Sequence, residues 1–263
     1  WSISLMGIIL CLLVMFLSSY VYAICAMLLA ATVYKYIEYH GAEKEWGDGI
    51  TGLALSAARY SLLKLEDNSY NIHTKNWRPQ LLILVKLKSD SFELKNYKLL
   101  TFGSQLKAGK GLTIVSSVIK GSFENKDDVN LSKIAQKSIR VAMDKEKVKG
   151  FAQVVVSNNI IDGLSHLIQT SGLGGLKHNT IIIGWPTGWR HSINSEKHNQ
   201  FVSLIRQIIT GQYALIVAKG INQWPDCNDR LGGFIDIWWI VHDGGLLILI
   251  AYVLKLHRTW RNC

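Results

Sequence analysis

Residues 80–87 read Gln-Leu-Leu-Ile-Leu-Val-Lys-Leu (QLLILVKL), and six of the eight are Leu, Ile or Val. Successive side chains of a strand point to opposite faces. A run that is apolar on both faces therefore needs cover on both, as a strand in a parallel sheet has. A strand with one wet face would alternate instead.

Downstream, runs of the same kind recur between helical patterns. Tyr97–Leu106 spaces its apolar residues as a helix does, and Gly111–Ile119 (GLTIVSSVI) is the next strand. Leu131–Val148 follows as a long amphipathic helix with Ile134, Ile139, Val141 and Met143 among its apolar positions. Phe151–Val156 (FAQVVV), Asn179–Gly184 (NTIIIG), Ala214–Ala218 and Ile235–Val241 (IDIWWIV) read as further strands. Ile160–Thr170, Glu196–Thr210 and Asp243–His257 read as helices. The last contains nine apolar residues from Leu246, too few to span a bilayer, so it is expected as a buried helix. This alternation predicts an α/β fold: a mostly parallel sheet with helices on both faces and right-handed crossovers.

Upstream, Asp67–Pro79 is polar loop. Ile50–Leu65 repeats Ile50, Leu53, Ala54, Ala57, Tyr60 and Leu63 at helical spacing. It reads as an amphipathic connector that packs on the membrane or the domain. Lys35–Gly49 bends at Gly41, Gly47 and Gly49. Residues 1–34 contain no Asp, Glu, Lys, Arg or His, so the whole formal net charge of +10 lies from Lys35 onward. A stretch of that length without charge reads as membrane-spanning. It lacks the basic start and small-residue cleavage site of a signal peptide. One straight helix over it would reach about 51 Å, against a hydrocarbon core of about 30 Å. Either a tilted helix overshoots, or two short helices turn at Ser18-Ser19, which is the preferred reading. Tyr20, Tyr22, Tyr34 and Tyr36 suit interfacial anchors. The start on Trp1, without an initiator Met, reads as that of a fragment. The expected organisation is transmembrane helices over 1–36, linker and connecting helix over 37–65, and an α/β domain over 66–263, truncated at its C-terminus.

Cys11, Cys25, Cys227 and Cys263 form neither a CxxC pair nor a Cys/His zinc spacing, which favours a reducing compartment and no metal. Lys and Arg are scattered, without the basic stripe and interleaved aromatics of a nucleic-acid binder. A basic domain beside an anionic leaflet gains some attraction to membrane lipid.

Two loops are weak anion or nucleotide candidates. Lys107, Gly109, Lys110 and Gly111 are rich in Gly and Lys, but lead from helix into strand. A phosphate-cradling loop leads from strand into helix. A helix C-terminus capped at Gly109 is the structural alternative. Gly172–Gly175 has the same order and reads as a cap and tight turn. Asp243, Gly244 and Gly245 follow a predicted strand and open a helix, so free N–H groups face out of the sheet's edge. Asp243 equally serves as the N-cap and would repel an anion. Trp185 and Trp189 are either packed or exposed for a partner. His166 and His178 read as ordinary loop histidines. No GxSxG elbow and no carboxylate pair supports an enzyme.

Six strings resemble one family: YKYIEYHGAEKEWGDG (34–49), HTKNWRPQLL (73–82), QLKAGKGLTIV (105–115), VKGF (148–151), SHLIQTSGLGGLKHNTIIIGWPTGW (165–189) and IDIWWIVHDGGLLILI (235–250). They resemble the cation-chloride cotransporters, and WWIVHDGG at 238–245 is similar to the potassium-chloride branch. The resemblance implies an electroneutral potassium-chloride symporter acting in cell volume regulation. Residues 1–36 would be its eleventh and twelfth membrane helices. The remainder would be the start of a cytosolic regulatory and homodimerisation domain similar to universal stress proteins. It implies a multi-pass plasma-membrane protein, cytosolic from about residue 35. K+ and Cl− would be bound by other membrane helices. No cofactor is required and no nucleic acid is a partner; ATP or ADP at Lys107–Gly111 is the one ligand expectation. The alternative function is a membrane-anchored nucleotide-sensing module. A soluble enzyme with an apolar leader, the third reading, predicts that residues 1–34 are dispensable.

Overall fold

The computed structural model describes residues 2–40, 49–67, 77–88, 91–106, 111–186, 195–240 and 244–263. The chain divides into two compact units, Trp1–Tyr60 and Ser61–Cys263.

In the first unit, α1 (Ser2–Ser18) and α2 (Tyr20–His40) are interrupted only at Ser19. The Ser19 N–H donates to Met15 O at 3.3 Å, and Ser19 O accepts from the Ala23 N–H at 3.0 Å. Both bonds span four residues, so helical bonding runs on through Ser19 and the hairpin turn expected there does not form; the segment follows the single-helix alternative. Most of its uncharged surface is exposed, a face suited to lipid. Tyr20–Ile37 in α2 is long and apolar enough to cross a membrane. Helix α1 has 17 residues. Helix α3 (Gly49–Asp67) is the predicted connector. Its apolar positions Leu53 and Tyr60 are 72% and 68% exposed, so they are not packed on the domain.

The second unit is built on a five-stranded sheet of β1 (Leu81–Leu84), β2 (Thr113–Lys120), β3 (Phe151–Ser157), β6 (Thr180–Gly184) and β7 (Ala214–Ala218). The order is β3-β2-β1-β6-β7, and every pairing is parallel. Strand β1 is central, its four residues all buried, as its two apolar faces require. Leu81 pairs with Thr113 on one side and Thr180 on the other.

Alternate residues feed two cores. Leu81, Ile83 and Val85 point to α4 (Lys98–Leu106), α5 (Lys126–Lys145) and α8 (Gly244–Lys255), joining Phe102, Ile139 and Val253. Leu82 and Leu84 point the other way, to α6 (Ile160–Thr170) and α7 (Ser195–Thr210), joining Ile168, Leu204 and Ile208. The result is a three-layer α/β/α unit.

Local chemistry fixes the element ends. Helix α5 begins at Lys126, five residues before the predicted start. Asn125 Oδ1 accepts the Asp127 N–H at 3.0 Å, and Asp127 and Asp128 lie in the first turn. Apolar periodicity does not register that polar opening turn. Asn159 caps α6 in the same way, accepting from the Ile161 N–H at 3.1 Å. A two-residue hairpin, β4 (Gly172–Leu173) and β5 (Leu176–Lys177), follows α6. Its turn uses Gly174 at φ +55°, which only glycine adopts freely. Thus Gly172–Gly175 is a tight turn, while the helix cap is Ser171.

One predicted strand is absent. Ile235–Ile240, the described part of Ile235–Val241, takes up neither strand nor helix. Phe234 is 93%, Trp238 80% and Ile240 86% exposed. A strand needs a neighbour for its N–H and C=O groups, and this run lies against none of the five paired strands.

Candidate functional site

Strands β2 and β3 extend from β1 on one side, and β6 and β7 lie on the other. The chain therefore reverses direction between β1 and β6. In open α/β sheets the crevice outside the carboxyl ends of two such strands is where ligands bind.

Leu84 and Gly184 end these two strands. Beyond β1 the Val85 N–H donates to Ser116 O at 2.9 Å, and the chain loops out with Leu87 bridged to Leu94. On that loop Lys88 Nζ lies 3.0 Å from Glu93 Oε2, a pair open to solvent. Hydrogen bonding and charge from Lys88 hold the Glu93 carboxyl below its usual range. Beyond β6 the Trp185 N–H donates to Ala218 O at 2.9 Å. Its ring meets Phe201 edge-on at 6.0 Å, and Lys219 Nζ lies 5.7 Å from the indole centroid. Trp185 is thus a packed residue; Trp189 lies outside the described residues.

The first turn of α4 closes this edge. A Cβ on Gly184 would lie 3.4 Å from Leu99 Cδ1, so an apolar side chain fills the space beside β6. Lys98 Nζ bonds Asp226 Oδ1 at 2.5 Å, and that hydrogen bond raises the lysine's pKa. Lys86 and Lys219 follow the carboxyl ends of β1 and β7, while Lys98 in α4 is engaged by Asp226. Among the described residues this edge offers no nucleophile with its base, and no group of three metal-ligating side chains occurs.

Lys107, Gly109 and Lys110 lie outside the described residues. Gly111 lies at the opposite, amino edge of the sheet, leading into β2. A Cβ there would fall 1.9 Å from Pro79 O, so close backbone packing accounts for the glycine. Asp243 also lies outside the described residues, Gly244 opens α8, and a Cβ on Gly245 would meet nothing within 4 Å. Without a strand at Ile235–Ile240, the reason for placing Asp243, Gly244 and Gly245 at a sheet edge lapses.

Two constellations went unread in the sequence. Gln105 is fully buried, and its Oε1 accepts from Trp224 Nε1 at 2.8 Å and Trp260 Nε1 at 2.7 Å. Its Nε2 donates to Pro225 O at 3.0 Å. Gln105 stands three residues after Phe102 on the buried face of α4, so its helical position was a usable signal. Arg258, bonded to Cys227 O and Asn228 Oδ1, and the buried Thr259 hold the same C-terminal segment. The second case is His178, 3% exposed and stacked on Tyr213 at 4.7 Å. Neither ring nitrogen makes a well-formed hydrogen bond. Burial pushes its pKa down, and the nearby Ser171 backbone offsets this only in part. It lies in the β5–β6 connection, a loop residue as expected, but buried; His166 is exposed and lies within α6 rather than in a loop.

Several solved structures are similar to this chain. A universal stress protein from Archaeoglobus fulgidus in complex with dAMP shares 15% identity over 53% of this chain and 96% of its own, with a TM-score of 0.36. A universal stress protein in complex with cAMP shares 11% identity over 54% of this chain and 98% of its own, TM-score 0.36. A further universal stress protein structure from Archaeoglobus fulgidus shares 17% identity over 54% and 98%, TM-score 0.36. Scores of that size carry no conclusion about ligands; the α/β layering rests on the strand pairing above. The sequence profile of solute carrier family 12 matches residues 97–232 and 219–263. Those matches run through the parallel sheet and its C-terminal segment, well over half of the chain, which therefore belongs to solute carrier family 12, the cation-chloride cotransporters.

Proposed function

We propose that this chain is part of an electroneutral potassium-chloride symporter of the plasma membrane, supplying membrane helices and a cytosolic regulatory and dimerisation domain. One observation carries the reading: an uncharged helical segment precedes, in the same chain, a parallel α/β unit that belongs to a cotransporter family. Helices α1 and α2 lie in lipid, and the chain is cytosolic from about residue 35. K+ and Cl− bind membrane helices outside this chain, and a second copy is the protein partner. The potassium-chloride assignment rests on the likeness of Trp238–Gly245 to that branch. A regulatory domain acts on transport only by favouring one conformation over another, and alternating access is driven by ion gradients.

Rb+ uptake by the full-length transporter provides the test. Uptake that needs Cl− and is indifferent to Na+ is expected; an absolute need for Na+ overturns the branch. Replacing Gly47 and Gly49 by bulkier residues should alter uptake while surface expression is kept. Unchanged uptake removes the mechanical role of the 37–65 linker.

A second reading is favoured by the crevice where the strand order switches between β1 and β6: a membrane-anchored module that binds ATP or ADP. ATP should then raise the Tm of the protein in detergent, and Lys86→Ala/Lys219→Ala should abolish the shift. A shift lost only in Lys107→Ala/Lys110→Ala would return the site to the Lys107–Gly111 loop. No shift ends the sensor reading.

A further inference from the structure

We draw no further inference here: the strongest candidate, the exposed apolar surface patch formed by Phe234, Trp238, Trp239 and Ile240 before α8, is an unpartnered face, and nothing in the structure shows what covers it.

Discussion

Leu81–Leu84 and Ile235–Ile240 are both short apolar runs with strong β propensity, yet they occur in opposite settings. The first is sealed between two parallel neighbours and two helical layers, with no residue more than 8% exposed. The second stands in the open, with Trp238 at 80% and Trp239 at 57% exposure. Their propensities are alike, so the difference lies in what surrounds them. A strand is a relation between segments: its backbone groups are satisfied by a partner and its side chains by cover. Asn179 shows how closely β1 is held. Its Oδ1 accepts the Gln80 N–H at 2.8 Å, and its Nδ2 donates to Arg78 O at 2.8 Å. That side chain ties the entrances of β1 and β6 together. Nothing comparable holds Phe234–Ile240, which leaves Gly232 and Gly233, the latter at φ +138°.

The contrast can be broken at either end. The largest effect is expected in the central strand: Ile83→Ala should destabilise the domain by about 2–5 kcal/mol through lost burial and a cavity. Urea unfolding of the protein in detergent, followed by near-UV circular dichroism, reads it; a loss below about 1 kcal/mol would mean that β1 is not the sealed core described. Next is Gln105→Leu, which strips Trp224, Trp260 and Pro225 of their shared partner. Each unsatisfied buried group costs about 1–3 kcal/mol, so the midpoint should fall clearly and tryptophan fluorescence should shift to the red. A neutral outcome would show the clasp around Gln105 to be ornamental.

Gly111→Ala comes third. The added Cβ meets Pro79 O, and relief of such overpacking costs about 1–3 kcal/mol. Undiminished stability combined with weakened ATP binding would reinstate Gly111 as a ligand residue.

A smaller effect depends on pH. His178 has its folded pKa lowered by burial. Its neutral form suits the fold, so its contribution is fully present above an unfolded pKa of about 6.5 and is lost as pH falls through that value toward the folded one. His257, lowered first by burial and then by the Arg258 charge, acts with the same sign. Stability should therefore decline on acidification below about pH 6.5, and less steeply in His178→Gln; equal slopes would discard this role. Smallest of all, Trp238→Ser should change stability by no more than about 0.5 kcal/mol, as exposed substitutions do, while reducing binding of an apolar dye. A loss as large as that of Ile83→Ala would mean that the run is covered in solution.

The contrast also explains what could be read in advance. Ile160–Thr170 and Ala214–Ala218 fall where their patterns place them, because cap chemistry and apolar spacing are local. The parallel sheet was legible from the alternation of doubly apolar runs such as β1 with helical patterns. The order β3-β2-β1-β6-β7 was not legible, because it depends on which crossovers pack. For the same reason the crevice between β1 and β6 was not legible. Lys107–Gly111 and Asp243–Gly245 drew notice as Gly-rich strings, whereas Val85 and Trp185 lie far apart in sequence and come beside each other only because β1 pairs with β6. His178 carried no signal, since burial between a hairpin and Tyr213 is a property of the assembled sheet.

The clasp around Gln105 has a kinetic consequence. Its amide joins Trp224 and Trp260 across 119 and 155 residues of chain. Contacts that distant carry a large loop-closure cost and come late in folding. At about 5–20 residues per second of synthesis, Trp260 leaves the ribosome roughly 8–30 s after Gln105. Until then the nascent chain must shield an amide whose second indole has not yet been made, so the interval between them is when a chaperone would have most to do.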